Sequence, residues 1–361
     1  MSINSVNRSR KNPFLRRLRR FWSIPIVRIA AALVAIIITI SFIVFAFKSC
    51  GNRDVEVSET SEESVTDVFL EESVPELSLP EEESEAPLPT PWKYNSVENI
   101  SDVINSNYGI IINATTREVL GGKNHSQLIY PASMTKIMTL IVAARSDLDL
   151  NAPYTMDYRL INKYYLAEAT ITGIQAGDTV TVKDLLYGAI LLSAADATAA
   201  IAEIVAGSEE AYVELMNKTA QEIGCKNSHF TNTSGLYDES NYSTLGDIAL
   251  MLDYAMSIPL AAQILAEDEY VTPPTPKNPE GYKFVGTMFS RISPDTVKGM
   301  TVAGGKTGYL SEARHCLASM AISDNGEKYI VVTVGGQWPY TPINDCIALY
   351  LKYNGGTNEH D

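Results

Sequence analysis

Pro131-Ala132-Ser133-Met134-Thr135-Lys136 opens a run in which Met134, Ile137, Met138, Ile141 and Val142 recur at helical spacing, predicting a helix from Ser133 to about Arg145 with one apolar side. Residues three apart on a helix share a face, so Lys136 can reach the hydroxyl of Ser133. An ammonium held in a partly desolvated pocket has a lowered pKa, and the neutral amine can then take a serine proton. Alone, the spacing is common and reads more readily as a helix-capping serine followed by a surface lysine.

Upstream, Tyr108 to Asn113 is a strand signal, followed by a polar turn at Ala114 to Arg117 and a return strand. Downstream, helices are predicted from Val182 to Val205 with a break near Ser193, from Glu209 to Ile223, and from Leu245 to Met256. Strands return only at the far end, at Thr301 to Tyr309, Cys316 to Ser323 and Tyr329 to Gly335, with Asp324-Asn325-Gly326 marking a hairpin. A closing helix is predicted from Pro342 to Tyr353. Strands at both ends with helices between predict an α+β fold, in which an antiparallel sheet flanked by helices is completed by the two chain ends around an inserted, mainly helical subdomain. Lys306-Thr307-Gly308 lies in one of the late strands after Gly304-Gly305. Glycines beside a strand admit close approach of a ligand, and an exposed strand edge can bind an extended peptide through its main chain.

Taken together and in this order, Pro131 to Lys136, Ser193, and Lys306 to Gly308 resemble the three motifs of penicillin-recognising serine enzymes. Gly177-Asp178-Thr179-Val180 with Asp184-Leu185-Leu186, and His229-Phe230-Thr231-Asn232 with Gly235-Leu236, are similar to segments of the D-alanyl-D-alanine carboxypeptidase family in particular. The likeness covers roughly residues 95 to 350. It implies that Ser133 is the nucleophile, Lys136 its base and Ser193 a proton relay, while Lys306 and Thr307 hold the substrate's terminal carboxylate and Gly308 and Tyr309 complete the substrate-binding strand. The backbone N–H groups of Ser133 and Tyr309 would form an oxyanion hole, worth about 3 kcal/mol per donor in such sites. The implied substrate is a peptidoglycan stem peptide that loses its terminal D-alanine through an acyl-enzyme, and β-lactams are the implied inhibitors. One departure stands out. The family's second motif is Ser-x-Asn, whereas Ser193-Ala194-Ala195 puts Ala195 at the Asn position, which leaves open a catalytically weakened penicillin- or peptidoglycan-binding homologue. Arg314 also replaces a usually small residue. A serine β-lactamase would need a deacylating carboxylate on a loop before the third motif; Glu168 is the nearest candidate, without the expected Asn shortly after it.

The N-terminal part reads differently. Ile29 to Phe47 is uncharged over nineteen residues, which as helix spans about 28 Å and matches a bilayer core. Eight basic residues precede it, so the expected topology is a basic cytoplasmic segment (1–28), a single-pass transmembrane helix (29–47), and everything after Lys48 outside the cell membrane. A cleavable signal peptide fits less well, because no small-x-small site follows, and Cys50 lacks a lipoprotein-like context. Residues 48–94, rich in Glu, Ser and Pro, are expected to form an acidic disordered linker, leaving residues 95–361 as the peptidase domain. The net charge of -15 argues against nucleic acid as a partner. The four cysteines contain no CxxC pair and the four histidines no metal-ligand spacing, so neither metal nor cofactor is expected, and buried thiols are favoured over a disulfide.

Overall fold

The computed structural model describes residues 86–354. The expected basic segment, the membrane helix, most of the linker, Cys50 and residues 355–361 lie outside the described residues. Among the described residues no single helix is long and apolar enough to cross a membrane.

The chain first lays down β1 (Glu98–Asn99), β2 (Tyr108–Asn113) and β3 (Glu118–Lys123), then a 3-10 turn, Ala132–Met134, that runs into α1 (Thr135–Ala144). The middle holds β4 (Pro153–Thr155), α2 (Tyr158–Leu166), β5 (Thr179–Thr181), α3 (Val182–Leu191), α4 (Ala195–Ala206) and α5 (Glu209–Glu222). It continues through α6 (Leu245–Ala255), α7 (Pro259–Ala266), β6 (Glu269–Val271) and β7 (Lys283–Val285). β8 (Met300–Leu310), β9 (Arg314–Ser323), β10 (Lys328–Gly336) and α8 (Thr341–Tyr353) close the domain.

Six strands form one sheet in the order β1-β3-β2-β10-β9-β8, so the early and late strands meet at its centre and β8 is left at an edge. The central pairing of β2 with β10 is antiparallel, with Ile111 opposite Val331. Both faces of this sheet are covered. Ile110 and Ile112 join the larger core under the helical middle, and Ile111 joins a second cluster with Val331, Leu349 and Tyr350 beneath α8. A strand buried on both sides needs no polar alternation, which is why it reads as an uninterrupted isoleucine run.

The structure corrects several expectations. α1 is buried from Thr135 through Ala143 rather than along one side only, because α5, α6 and α3 surround it. Strands do not return only at the far end: β4 pairs with β5 and β6 with β7. These are three-residue ladders, too short to display a period of two. α2 and α7 were likewise not anticipated. The sheet is not wholly antiparallel, since β1 runs parallel to β3. The packed part also begins before Asn95. Lys93 bridges to Glu118, and the Trp92 indole donates to the Gly246 carbonyl at 2.9 Å. The Arg117 guanidinium lies 3.6 Å from the Trp92 ring centre and pairs with Asp253. An apolar body with one polar handle docks where a run of prolines alone suggested only a tether. Cys225, Cys316 and Cys346 are buried free thiols.

Candidate active site

The Ser133 turn is shaped by two tight contacts. Ala132 has φ of 49°, a left-handed value that a side chain disfavours. A Cβ on Gly235 would stand 1.8 Å from the Ala132 carbonyl oxygen, and one on Gly308 would stand 3.2 Å from the Ser133 nitrogen. The turn is therefore clamped between β8 and the loop after Asn232, and glycine is required where the backbones meet. That loop is built by one side chain. The Asn232 amide oxygen accepts from the backbone nitrogens of Ser234 (3.2 Å), Gly235 (2.7 Å) and Leu236 (3.1 Å). It is pinned from below, where Thr139 donates to the Thr233 carbonyl at 2.7 Å and Thr233 donates to Glu209 at 2.9 Å.

The loop's purpose is visible in what it offers. Lys136 is 2% exposed, and its Nζ lies 3.3 Å from Ser133 Oγ and 2.5 Å from the Ser234 carbonyl oxygen. Burial pushes the Lys136 amine well below the ordinary lysine value, the nearby Lys306 charge adds to this, and Asp196 opposes it. Ser193 interrupts α3 and α4 with φ of 65°, a conformation that ends one helix and turns the hydroxyl toward the site. Lys306 Nζ donates to Ser193 Oγ at 3.1 Å and to the Thr307 carbonyl at 3.0 Å. Burial again dominates: the Lys306 amine, 1% exposed, is pushed down to about 7, helped by Arg291.

A cleft of about 570 Å³ joins these groups, lined by Ser133, Lys136, Ser193, Thr307, Gly308 and Tyr309. Every residue anticipated from the sequence thus stands in or against one cleft, Lys306 through its contact with Ser193. The sequence reading missed four further participants. The Ser234 carbonyl holds the lysine; Thr287 shares a 2.6 Å hydrogen bond with Thr307. Arg291 and His315 line the same wall, and desolvation with Arg291 lowers the imidazole's pKa. Only the first had a local signal, the Asn232 to Gly235 turn chemistry. Ala195 lines the cleft at 2% exposure, whereas the neighbouring Asp196 carboxylate points away, accepting from Thr172 N at 2.9 Å and Thr172 Oγ1 at 2.7 Å. Arg314, which had no assigned role, has φ of 56° at the start of β9, opposite Leu310. It is a turn residue, at a position that glycine, lacking a Cβ, fills with less strain.

Residues 95–337 match the family described as D-alanyl-D-alanine carboxypeptidase. Among curated relatives, D-alanyl-D-alanine carboxypeptidase DacF of Bacillus subtilis is 33% identical over 249 residues, covering 64% of this chain and 57% of that protein. D-alanyl-D-alanine carboxypeptidase DacA of Haemophilus influenzae is 29% identical over 239 residues, covering 63% and 56%. The chain thus spans little more than half the length of these relatives. Among solved structures, a Streptomyces DD-transpeptidase superposes with a TM-score of 0.62 at 26% identity, covering 68% of this chain and 95% of that one. Penicillin binding protein 5 of Haemophilus influenzae gives 0.60 at 26% identity, covering 68% and 70%.

The buried Lys306 makes stability depend on pH in a defined direction. Between about 7 and 10 the unfolded chain, with lysine near 10.4, holds a proton that the folded chain has released, so stability rises with pH across that window. Thermal unfolding of the Lys306→Met variant is expected to show a smaller rise in midpoint over this window than the wild type; an equal rise would contradict the buried, neutralised amine. With the cleft, its clamped serine and the matching of two thirds of its length in view, the chain belongs to the D-alanyl-D-alanine carboxypeptidase family.

Proposed function

We propose that this protein is a serine-type D-alanyl-D-alanine carboxypeptidase acting on peptidoglycan stem peptides. The observation that carries the reading is the Lys136 amine, desolvated and 3.3 Å from Ser133 Oγ. In this scheme Ser133 Oγ attacks the carbonyl carbon of the penultimate D-alanine while Lys136 Nζ takes the hydroxyl proton. The backbone N–H groups of Ser133 and Tyr309 stabilise the oxyanion. The carbon–nitrogen bond breaks, the leaving D-alanine receives a proton through Ser193, and water hydrolyses the resulting ester. β8 is the free sheet edge along which an extended peptide can align, with Gly308 admitting its close approach. At the far end of that alignment Lys306, Thr307 and the Arg291 charge favour the terminal carboxylate, whose arrival raises the Lys306 pKa and restores its proton. β-Lactams, carrying a carboxylate and a reactive carbonyl, enter as inhibitors of the same serine. The test is release of D-alanine from a diacetyl-L-lysyl-D-alanyl-D-alanine peptide, together with covalent labelling by a fluorescent penicillin. Ser133→Ala is expected to lose both while keeping its thermal midpoint; undiminished labelling of the variant would contradict the assignment.

Ala195 favours a weakened form of the same activity over a full-strength one. In the family's pattern, the Asn amide orients the lysine and holds the scissile carbonyl. Here the Ser234 carbonyl already accepts from Lys136 at 2.5 Å. Only the substrate-facing half of the amide's work is left undone, and Asp196 is committed to Thr172. One hydrogen bond of ordinary strength corresponds to about a tenfold change in rate. Ala195→Asn is therefore expected to speed acylation by penicillin about tenfold; an unchanged rate would mean that another group already holds the carbonyl.

The uncharged run 29–47 and the basic residues before it support a single-pass anchor in the cell membrane, with residues 95–361 as the extracytoplasmic catalytic part and 48–94 as its acidic spacer. In cells with permeable outer layers, external protease is expected to remove the part after Lys48; protection of that part would reverse the topology.

A further inference from the structure

The cleft lining contains one acid, Glu168, and it stands where two separate forces disfavour it. It follows the last turn of α2, with its backbone nitrogen donating to the Tyr165 carbonyl at 3.1 Å, and has φ of 54°. That is the position after a helix at which glycine ordinarily supplies the left-handed turn. A carboxylate there also faces the negative end of the helix dipole. Helix termination accounts for the turn and leaves the glutamate unexplained. Its carboxylate makes no ion pair or hydrogen bond with any other described residue, so it is not recruited to hold the loop together. The loop itself is fixed. The Ala169 nitrogen donates to the Tyr164 carbonyl at 3.0 Å, and the Ala195 nitrogen donates to the Thr170 carbonyl at 2.8 Å. Glu168 is thereby held on the wall shared with Ala195, while Arg291, close enough to depress Lys306 and His315, belongs to the wall shared with Thr287 and Thr307.

Glu168 and Arg291 thus bring opposite charges to the lining of the cleft that holds Ser133. A peptide whose carboxylate sits at the Lys306, Thr307 and Arg291 pole carries its acyl portion past Ser133 toward Ala195 and the Glu168 loop. We propose that Glu168 is a specificity residue that pairs with a primary ammonium on the acyl side of the scissile bond. The preferred substrate is then a D-alanyl-D-alanine peptide in which the preceding residue is a diamino acid with its side-chain amine free. This rests on the carboxypeptidase reading above and adds to it a choice among stem peptides: those whose side-chain amine is already acylated, as in a cross-link or bridge, are the poorer substrates.

The test compares kcat/KM for Nα-acetyl-L-lysyl-D-alanyl-D-alanine with its ε-amine free or acetylated. The full-length protein is expected to favour the free amine about threefold to tenfold, the scale of a partly screened ion pair, and to lose much of that preference in about 0.5 M salt. Glu168→Gln should bring the ratio close to one. Glu168→Gly should do the same and also raise the thermal midpoint, because it removes a Cβ from a left-handed turn. Acylation rates of two penicillins, one with an α-amino-phenylacetyl and one with a phenylacetyl side chain, give a second reading that does not require peptide hydrolysis. Equal use of both peptides by the wild type, or a preference that survives in both variants, overturns the proposal. If neither peptide releases D-alanine but the aminated penicillin is favoured in a Glu168-dependent way, the carboxypeptidase reading fails and the role of Glu168 stands. If the penicillins also show no such difference, both fail.

Discussion

Two lysine amines buried within one cleft are the constraint around which this domain is organised. Lys136 and Lys306 are each almost completely removed from water, and each lowers its pKa chiefly through that removal. Carrying full charge on both in such surroundings is costly unless each is paired, and the carboxylate that acts on Lys136, Asp196, spends its oxygens on Thr172. Burial therefore shifts both amines toward their neutral forms. What remains is an amine of lowered pKa beside a serine hydroxyl, made so chiefly by burial with a contribution from the Lys306 charge.

Keeping those amines dry and aligned explains features of the fold that otherwise look unrelated. Early and late strands meet at the centre of one sheet, which brings β8 alongside the Ser133 turn at its edge. Helix α1 is buried from Thr135 through Ala143, and Lys136 reaches the lining of the cleft. Glycines at 235 and 308 allow two separate backbones to press on the Ser133 turn, and neither position tolerates a Cβ without movement. Positive φ values at Ala132, Ser193 and Glu168 cluster around the same cleft. Backbone strain of this kind persists only where surrounding contacts over-determine it.

Much of this was legible in the sequence because it depends on short spacings. The three apolar residues of β2, the break at Ser193 and the hairpin at Asp324-Asn325-Gly326 carry their own local signals and stand where they were expected, and the helix expected from Ser133 runs as a 3-10 turn into α1 at Thr135. The resemblance joined Ser133, Ser193 and Lys306 across 173 residues, something periodicity could not do. Other parts were hidden for physical reasons. The Ser234 carbonyl acts through a main-chain atom that any residue would supply, so its identity gives nothing away. Arg291 and Thr287 reach the site through a long connection between β7 and β8 that has no regular pattern. Trp92 and Lys93 sit at the end of a proline-rich, acidic stretch whose composition masks their docking on β3 and α6.

The second motif shows how such a site can tolerate a missing group. With Lys136 held by the Ser234 carbonyl, an alanine at position 195 leaves the amine in place beside Ser133, and on the proposed reading costs only a substrate contact. The account therefore stands or falls on the ionisation state of Lys136. The most direct measurement is a pH titration of the lysine ε-carbon resonances in protein carrying 13C at that position, with the Lys136 signal assigned by its absence from the Lys136→Arg variant. The account predicts that Lys136 titrates well below an ordinary lysine. A midpoint near 10.4, the value of a solvated lysine, would contradict it.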